Sequence, residues 1–158
     1  MVAHSAGILV YRGSADSGGV EVFLVHPGGP FWARKDSGAW TIPKGEHGPD
    51  EDPLAAARRE FLEETGQPVP DGRVLDLGEV RQRGGKVVRA FAVCGEVDAS
   101  AVVSNTFTME WPPRSGQMRE FPEVDRGQWF SAGGAAAKIN PAQGEFLTRL
   151  GVATGGDR

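Results

Sequence analysis

A chain of 158 residues with 39% apolar content and 24% charge has the material for one packed domain and little length for a second. It reads as a single domain over 1–151 with a flexible tail at 152–158. A formal net charge of −4 and a sequence pI of about 5.4 argue against a general nucleic-acid or anionic-membrane binder, which needs clustered Lys and Arg. Cys94 is the only cysteine, which excludes intramolecular disulfides and cysteine-based metal clusters and makes the cytoplasm the natural compartment. No stretch approaches the roughly 18 continuous apolar residues of a membrane span.

The N-terminal MVAHSAGILVYRG lacks a basic n-region and reads as a strand, not a signal peptide. SAGILVYR and VEVFLVHP are β-rich runs joined by the turn-rich GSADSGG, a hairpin pattern. A glycine-rich loop follows with Phe31, Trp32, Arg34 and Lys35, and TIPKG reads as a short strand ending at a lysine-glycine turn. In DPLAAARREFLEETG the period changes to that of a helix, with Pro53 near its start and Gly66 where a C-terminal cap belongs. RVLDLGEVRQ and KVVRAFAVCGEV, joined by RGG, form a second strand pair. SNTFTMEWPPRSGQMREFPEVDRG is then a long polar connection. The chain closes with a short strand through Trp129 and Phe130 and a helical segment with Ile139, Phe146, Leu147 and Leu150 inward, kinked or split at Pro141 and Gly144.

The helix poses an electrostatic problem. At about 100° per residue, Glu60, Glu63 and Glu64 share one face roughly 100° wide, near the C-terminal end where the dipole disfavours acids. A like-charged i, i+4 pair such as Glu60 and Glu64 costs a further roughly 0.2–0.5 kcal/mol. Phe61, Leu54, Leu62 and Ala55 fall on the opposite side, so the acids are expected to point away from the core. A hard divalent cation resolves the conflict, because Mg²⁺ takes carboxylate oxygens and bridges to phosphates. With no His or Cys on this helix, zinc is not indicated.

The wider spacing runs Gly45, five residues, Glu51, seven residues, then Arg59-Glu60-Phe61-Leu62-Glu63-Glu64-Thr65-Gly66. It resembles the signature of the Nudix hydrolase family, departing only at the final aliphatic place, where Gln67 stands with Val69 two residues on. The SAGILVYR, VEVFLVHP, WTIPKG and WFS segments resemble the family's strands as well. The resemblance implies an α/β fold, an α/β/α sandwich around a mixed β-sheet. It also implies Mg²⁺- or Mn²⁺-dependent hydrolysis of a nucleoside diphosphate linked to a group X. Carried onto this sequence, it makes Glu60, Glu63 and Glu64 metal ligands or the water-activating carboxylate and the Gly45 carbonyl a further ligand. Arg59 holds the loop and carboxylates, pairing with Glu51.

Members often add a glutamate from outside the signature; Glu123 is the choice by position, with Glu120 and Glu110 as rivals. Lys44, Arg34 and Lys35 are placed to bind phosphates, and Trp32 or Phe31 to stack on a base. Trp40 suits core and ligand wall equally, Trp111 and Trp129 suit packing, and the three histidines are read as structural or solvated. The expected partner is a small nucleotide, a nucleoside triphosphate or dinucleoside polyphosphate. Two other readings keep the fold: a non-catalytic nucleotide-sensing module, against which the intact ionisable positions count, and RNA 5′-end hydrolysis, against which the acidic balance counts.

Overall fold

The computed structural model describes residues 2–14 and 19–154. Most of the GSADSGG turn, and residues 155–158 of the expected tail, lie outside the described residues. The chain opens with β1 (His4–Gly13) and β2 (Val20–Pro27), then a turn-rich loop, β3 (Lys44–Glu46) and α1 (Pro53–Thr65). Next come β4 (Val74–Arg81) and β5 (Val87–Cys94), β6 (Thr106–Glu110), β7 (Met118–Pro122) and β8 (Val124–Ser131). Helices α2 (Ala132–Lys138) and α3 (Gly144–Ala153) complete it. A 3₁₀ turn at Pro141–Gln143 separates the two, since Pro141 offers no N–H to continue a helix.

The main sheet runs β4-β5-β1-β2-β8, with β3 also on β1. β1 and β5 are parallel and the other pairs antiparallel, so the sheet is mixed. Strand alternation divides the apolar residues between two faces. On one, Leu9, Val22, Leu24 and Ala90 pack with Ala135, Ile139, Phe146 and Leu150 from the C-terminal segments. On the other, Ile8, Val10, Phe23 and Val93 pack with Ala56, Ala57 and Phe61 of α1. The expected α/β/α sandwich is the fold observed.

Three local readings change. The strand expected at TIPKG is displaced: Thr41 meets Val25 in one isolated bridge, and pairing with Ser5–Gly7 begins only at Lys44, after Pro43, which has no N–H to give a ladder. The connection expected at 104–127 contains a two-stranded ribbon, β6–β7, which pairs only with itself. The inward arc of α1 is also rotated: Ala56, Ala57, Phe61 and Thr65 are buried, while Leu62 is 50% exposed. Two small alanines let the helix settle close to the sheet on that side, and this turns Glu60 and Glu64 inward, contrary to the expectation that the acids point away from the core. Among the described residues no helix is long and apolar enough to cross a membrane.

Candidate active site

Helix α1 starts with the Asp52 carboxylate accepting from the Ala55 N–H at 2.9 Å, the N-cap arrangement that satisfies a free donor of the first turn. It stops at Gly66, left-handed at φ 75°, whose N–H donates to the Leu62 carbonyl at 2.8 Å. Between these caps the last turns present Glu60, Glu63 and Glu64 toward β3, because β3 lies along β1 beneath the helix.

β3 approaches the helix unusually closely. A Cβ on Gly45 would lie 1.9 Å from Glu60 Oε1, so only glycine admits both backbone and carboxylate here. The Lys44 N–H donates to Glu64 Oε1 at 3.2 Å. Burial pushes the Glu64 carboxyl up to about 8, against the opposing pull of Lys44. Burial likewise raises Glu60, partly offset by its hydrogen bond from Arg59. Lys44 is lowered, first by burial and then by Lys86 nearby.

Arg59 works as a brace. Its Nε and Nη2 donate to both Glu51 oxygens at 3.1 Å, the bidentate geometry that the planar guanidinium favours. Its Nη1 donates to Glu60 Oε2 at 2.8 Å and lies 3.5 Å from Glu63 Oε2. These bonds, those to Glu51 foremost, raise the Arg59 pKa and keep it charged. The pairing expected between Arg59 and Glu51 is therefore observed.

Three adjoining cavities meet at Glu64 and Glu123. The first, about 440 Å³, is walled by Glu60, Glu63, Gly45, Lys44, Ser5 and Lys86 beside the two shared acids. The second, about 510 Å³, is lined by Phe31, Trp32, Phe107 and Met109. The third, about 250 Å³, has polar walls from Thr41, Gln82, Asn140 and Gln143. Glu123 is fixed by its backbone: its N–H donates to the Asn105 carbonyl at 2.8 Å, and its carbonyl accepts from Gly28 at 2.9 Å. Asn105 in turn donates to the Glu63 carbonyl at 2.9 Å, tying this junction to the last turn of α1. The rival acids are elsewhere, Glu110 accepting from Gly116 at 2.7 Å and Glu120 from Thr106 Oγ1 at 2.7 Å along the ribbon.

The other expected residues separate. Trp32 walls two of the cavities, and Lys44 two. Arg34 and Lys35 are exposed and line none of these three; the Lys35 ammonium sits 5.0 Å from the Trp32 ring centroid. Trp40 is core, 2% exposed, its Nε1 donating to Asp36 at 2.8 Å. Trp129 packs on Phe23, with its indole N–H on the Val97 carbonyl at 3.0 Å. Trp111 meets Phe31 edge-on at 5.6 Å. His26 is fully buried between Asp125 Oδ1 at 3.0 Å and the Lys35 carbonyl at 2.7 Å, a structural tie. Gln67 fastens to the Asp98 backbone through both ends of its amide at 2.8 and 3.0 Å, and the next strand begins only at Val74.

Sequence reasoning missed Ser5, Lys86, Gln82, Asn140 and Gln143. Each reaches the site through strand pairing or helix packing over long separations, and the sequence carries no local signal for any of them.

The donor chemistry fits a hard divalent cation: carboxylates and a glycine carbonyl on one cavity, without His or Cys in its described walls. In this structure no three His, Cys, Asp or Glu side chains among the described residues converge on one metal-sized point. Arg59 draws Glu60 and Glu63 toward itself, and Glu64 turns under the Lys44 amide.

Comparison with solved structures places the fold. The chain resembles a C. elegans Ap4A hydrolase in a binary complex, with TM-score 0.62 and 19% identity, covering 96% of this chain and 98% of that one. It resembles the NUDIX domain of Shewanella oneidensis NrtR complexed with ADP ribose, with TM-score 0.64 and 13% identity, covering 98% and 89%. A MutT protein from Methanosarcina mazei Go1 matches at TM-score 0.58 and 21% identity, covering 98% and 96%. At such identities the likeness is one of fold. Membership rests on a further match, that of the NUDIX domain to residues 1–150. On that match, which takes in the whole of the glutamate helix and the sheet beneath it, the chain belongs to the Nudix hydrolase family.

Proposed function

We propose that this protein hydrolyses a pyrophosphate bond in a nucleoside diphosphate linked to a group X, with Mg²⁺ or Mn²⁺ as cofactor and a nucleoside triphosphate or dinucleoside polyphosphate as substrate. The observation that carries this reading is the meeting of an acidic cavity and an aromatic one at the same two carboxylates, Glu64 and Glu123. Glu60, Glu63, Glu64 and the Gly45 carbonyl would hold the cation. When bound, it neutralises charge on phosphate oxygens and makes water a better nucleophile.

The chain's own residues supply the rest. Arg59 orients Glu60 and Glu63, and it stays charged to do so. Glu64 and Glu123 are the two groups positioned to take the proton of attacking water, since both face the cavities on either side. Glu64 is half-buried where the three cavities join, so it reaches the water of each. Trp32, with Phe31 beside it, offers the face on which a base stacks. Lys44 faces the phosphates, and Arg34 and Lys35 add positive charge outside the cavity walls. The reaction suits the cytoplasm, where a lone thiol such as Cys94 stays reduced.

A product-resolved assay on nucleoside triphosphates, diadenosine polyphosphates and ADP-ribose with Mg²⁺ or Mn²⁺ tests the proposal. Turnover is expected to fall by about 10²–10⁴-fold in Glu64→Gln. Absence of turnover across the panel, or Glu63→Gln and Glu64→Gln variants as active as wild type, overturns it.

A further inference from the structure

Among the described residues one buried side-chain polar atom has no hydrogen-bond partner, the hydroxyl of Ser5. Ser5 is 1% exposed, yet it lines the acidic cavity. Buried hydroxyls almost always find a partner, and one that does not calls for a reason. Its neighbours suggest what that reason is. Ser5 lies on β1 opposite Glu46 of β3 and beside Val88 of β5. That pairing brings Lys44, at the start of β3, and Lys86, just before β5, to the same cavity. Lys86 Nζ is 3.3 Å from Glu46 Oε2, an ion pair at the cavity wall.

The helix side of the cavity thus carries carboxylates, and the sheet side brings two ammonium groups and one hydroxyl donor together with Glu46, whose carboxylate is already paired with Lys86. The aromatic cavity shares Glu64 and Glu123 with it but neither Ser5 nor Lys86. A nucleotide with its base on Trp32 and its phosphoanhydride over the shared carboxylates therefore extends its far end toward Ser5, Lys44 and Lys86. A phosphoryl group has acceptor oxygens only and suits three donors of this kind. A sugar hydroxyl accepts through its lone pairs but carries no charge, so it matches two ammonium groups less well than a phosphoryl group does.

We infer that Ser5, Lys44 and Lys86 form a subsite for a phosphoryl group on the far side of the scissile bond, so that X is phosphate and not a sugar. The inference rests on the hydrolase reading above for the position of the scissile bond, while the subsite itself is measured by binding alone.

Calorimetric titration of inorganic pyrophosphate with Mg²⁺, and separately of AMP, is the test. Pyrophosphate is expected to bind wild type and to weaken about tenfold in both Ser5→Ala and Lys86→Met. AMP affinity is expected to change less than twofold. Ser5→Ala removes an unpaired buried hydroxyl, so its thermal stability is expected to equal or exceed that of wild type, which separates lost ligand contact from lost fold. No detectable pyrophosphate binding by wild type, unchanged pyrophosphate affinity in either variant, or an equal loss for AMP overturns the subsite. Failure of wild type to turn over any nucleotide would sink the hydrolase reading instead, and the pyrophosphate titration would still decide the subsite.

Discussion

The two walls of the site are made differently. The helix wall, α1 with β3, is anchored in the core: Phe61 and two alanines are fully buried, and Gly45 admits the Glu60 carboxylate at a distance no side chain would allow. The opposite wall, β6–β7, stands off the main sheet and pairs only with itself. It is joined to the body by single backbone bonds at Val103, Asn105 and Glu123 and by aromatic contacts such as Phe31 with Trp111. The first wall has little freedom to vary without losing the carboxylate geometry. The second can exchange side chains at Phe107 and Met109 while Glu123 keeps its place, so on the proposed function chemistry and substrate choice would be carried by separable parts.

Substitutions that strike one wall and spare the other test this division. The largest effect is expected from Gly45→Ala. The new methyl must displace Glu60, and a shift of about 1 Å at such a group lowers turnover about 100-fold, with a melting temperature close to wild type. Arg59→Lys keeps a charge but loses the fork on Glu51. Activity is expected to fall between about 10- and 100-fold, with weaker Mg²⁺ binding in a metal titration, as for other residues that orient ligands. Phe107→Ala on the ribbon is expected to raise KM about tenfold with little change in kcat, the size of one lost base stack. A fall in kcat as large as that of Gly45→Ala would show that the walls are not separable.

The smallest effect belongs to neither wall. Asp76 receives Arg89 Nη2 at 2.5 Å and the Gly78 N–H at 2.9 Å, where the ladder to β5 shifts register. Arg89 above all holds its carboxyl below the usual range. A folded pKa below the unfolded one adds stability above about pH 4 that is lost as pH falls through the lower, folded value. Because the side chain is 46% exposed, screening keeps the contribution under about 1 kcal/mol. Asp76→Asn is expected to lower the melting temperature by less than about 4 °C at pH 7 and by nothing measurable below the depressed pKa.

The same contrast governs what could be read from sequence. Gly45, Glu51, Arg59 and the three glutamates lie within 20 residues, and one helix with a glycine stop sets the spacing of the last four, so the helix wall was legible. The orientation of that helix was not: Leu62 outweighs Ala56 and Ala57 on a hydrophobicity count, yet closeness to the sheet favours the small pair. The ribbon was missed because its strands span five residues each and most of their side chains are exposed. Phe107 and Met109 alternate, but over a run too brief to distinguish from loop. Lys86 and Ser5 meet only because β1 and β5 are parallel, a pairing that no local pattern announces.

β1 changes partners midway along one edge, pairing Tyr11–Gly13 with β2 and Ser5–Gly7 with β3. Ile8 donates to the Pro43 carbonyl at 3.1 Å where the two partners part. The backbone of Lys44 to Glu46 therefore shares its strand pairing with the first residues of the chain, while the Lys44 amide alone is tied to the helix through Glu64. In amide hydrogen exchange the two segments should open together as one cooperative unit. A fusion or deletion at the N-terminus that disturbs Ser5 to Gly7 would then loosen a site whose glutamates lie more than fifty positions away.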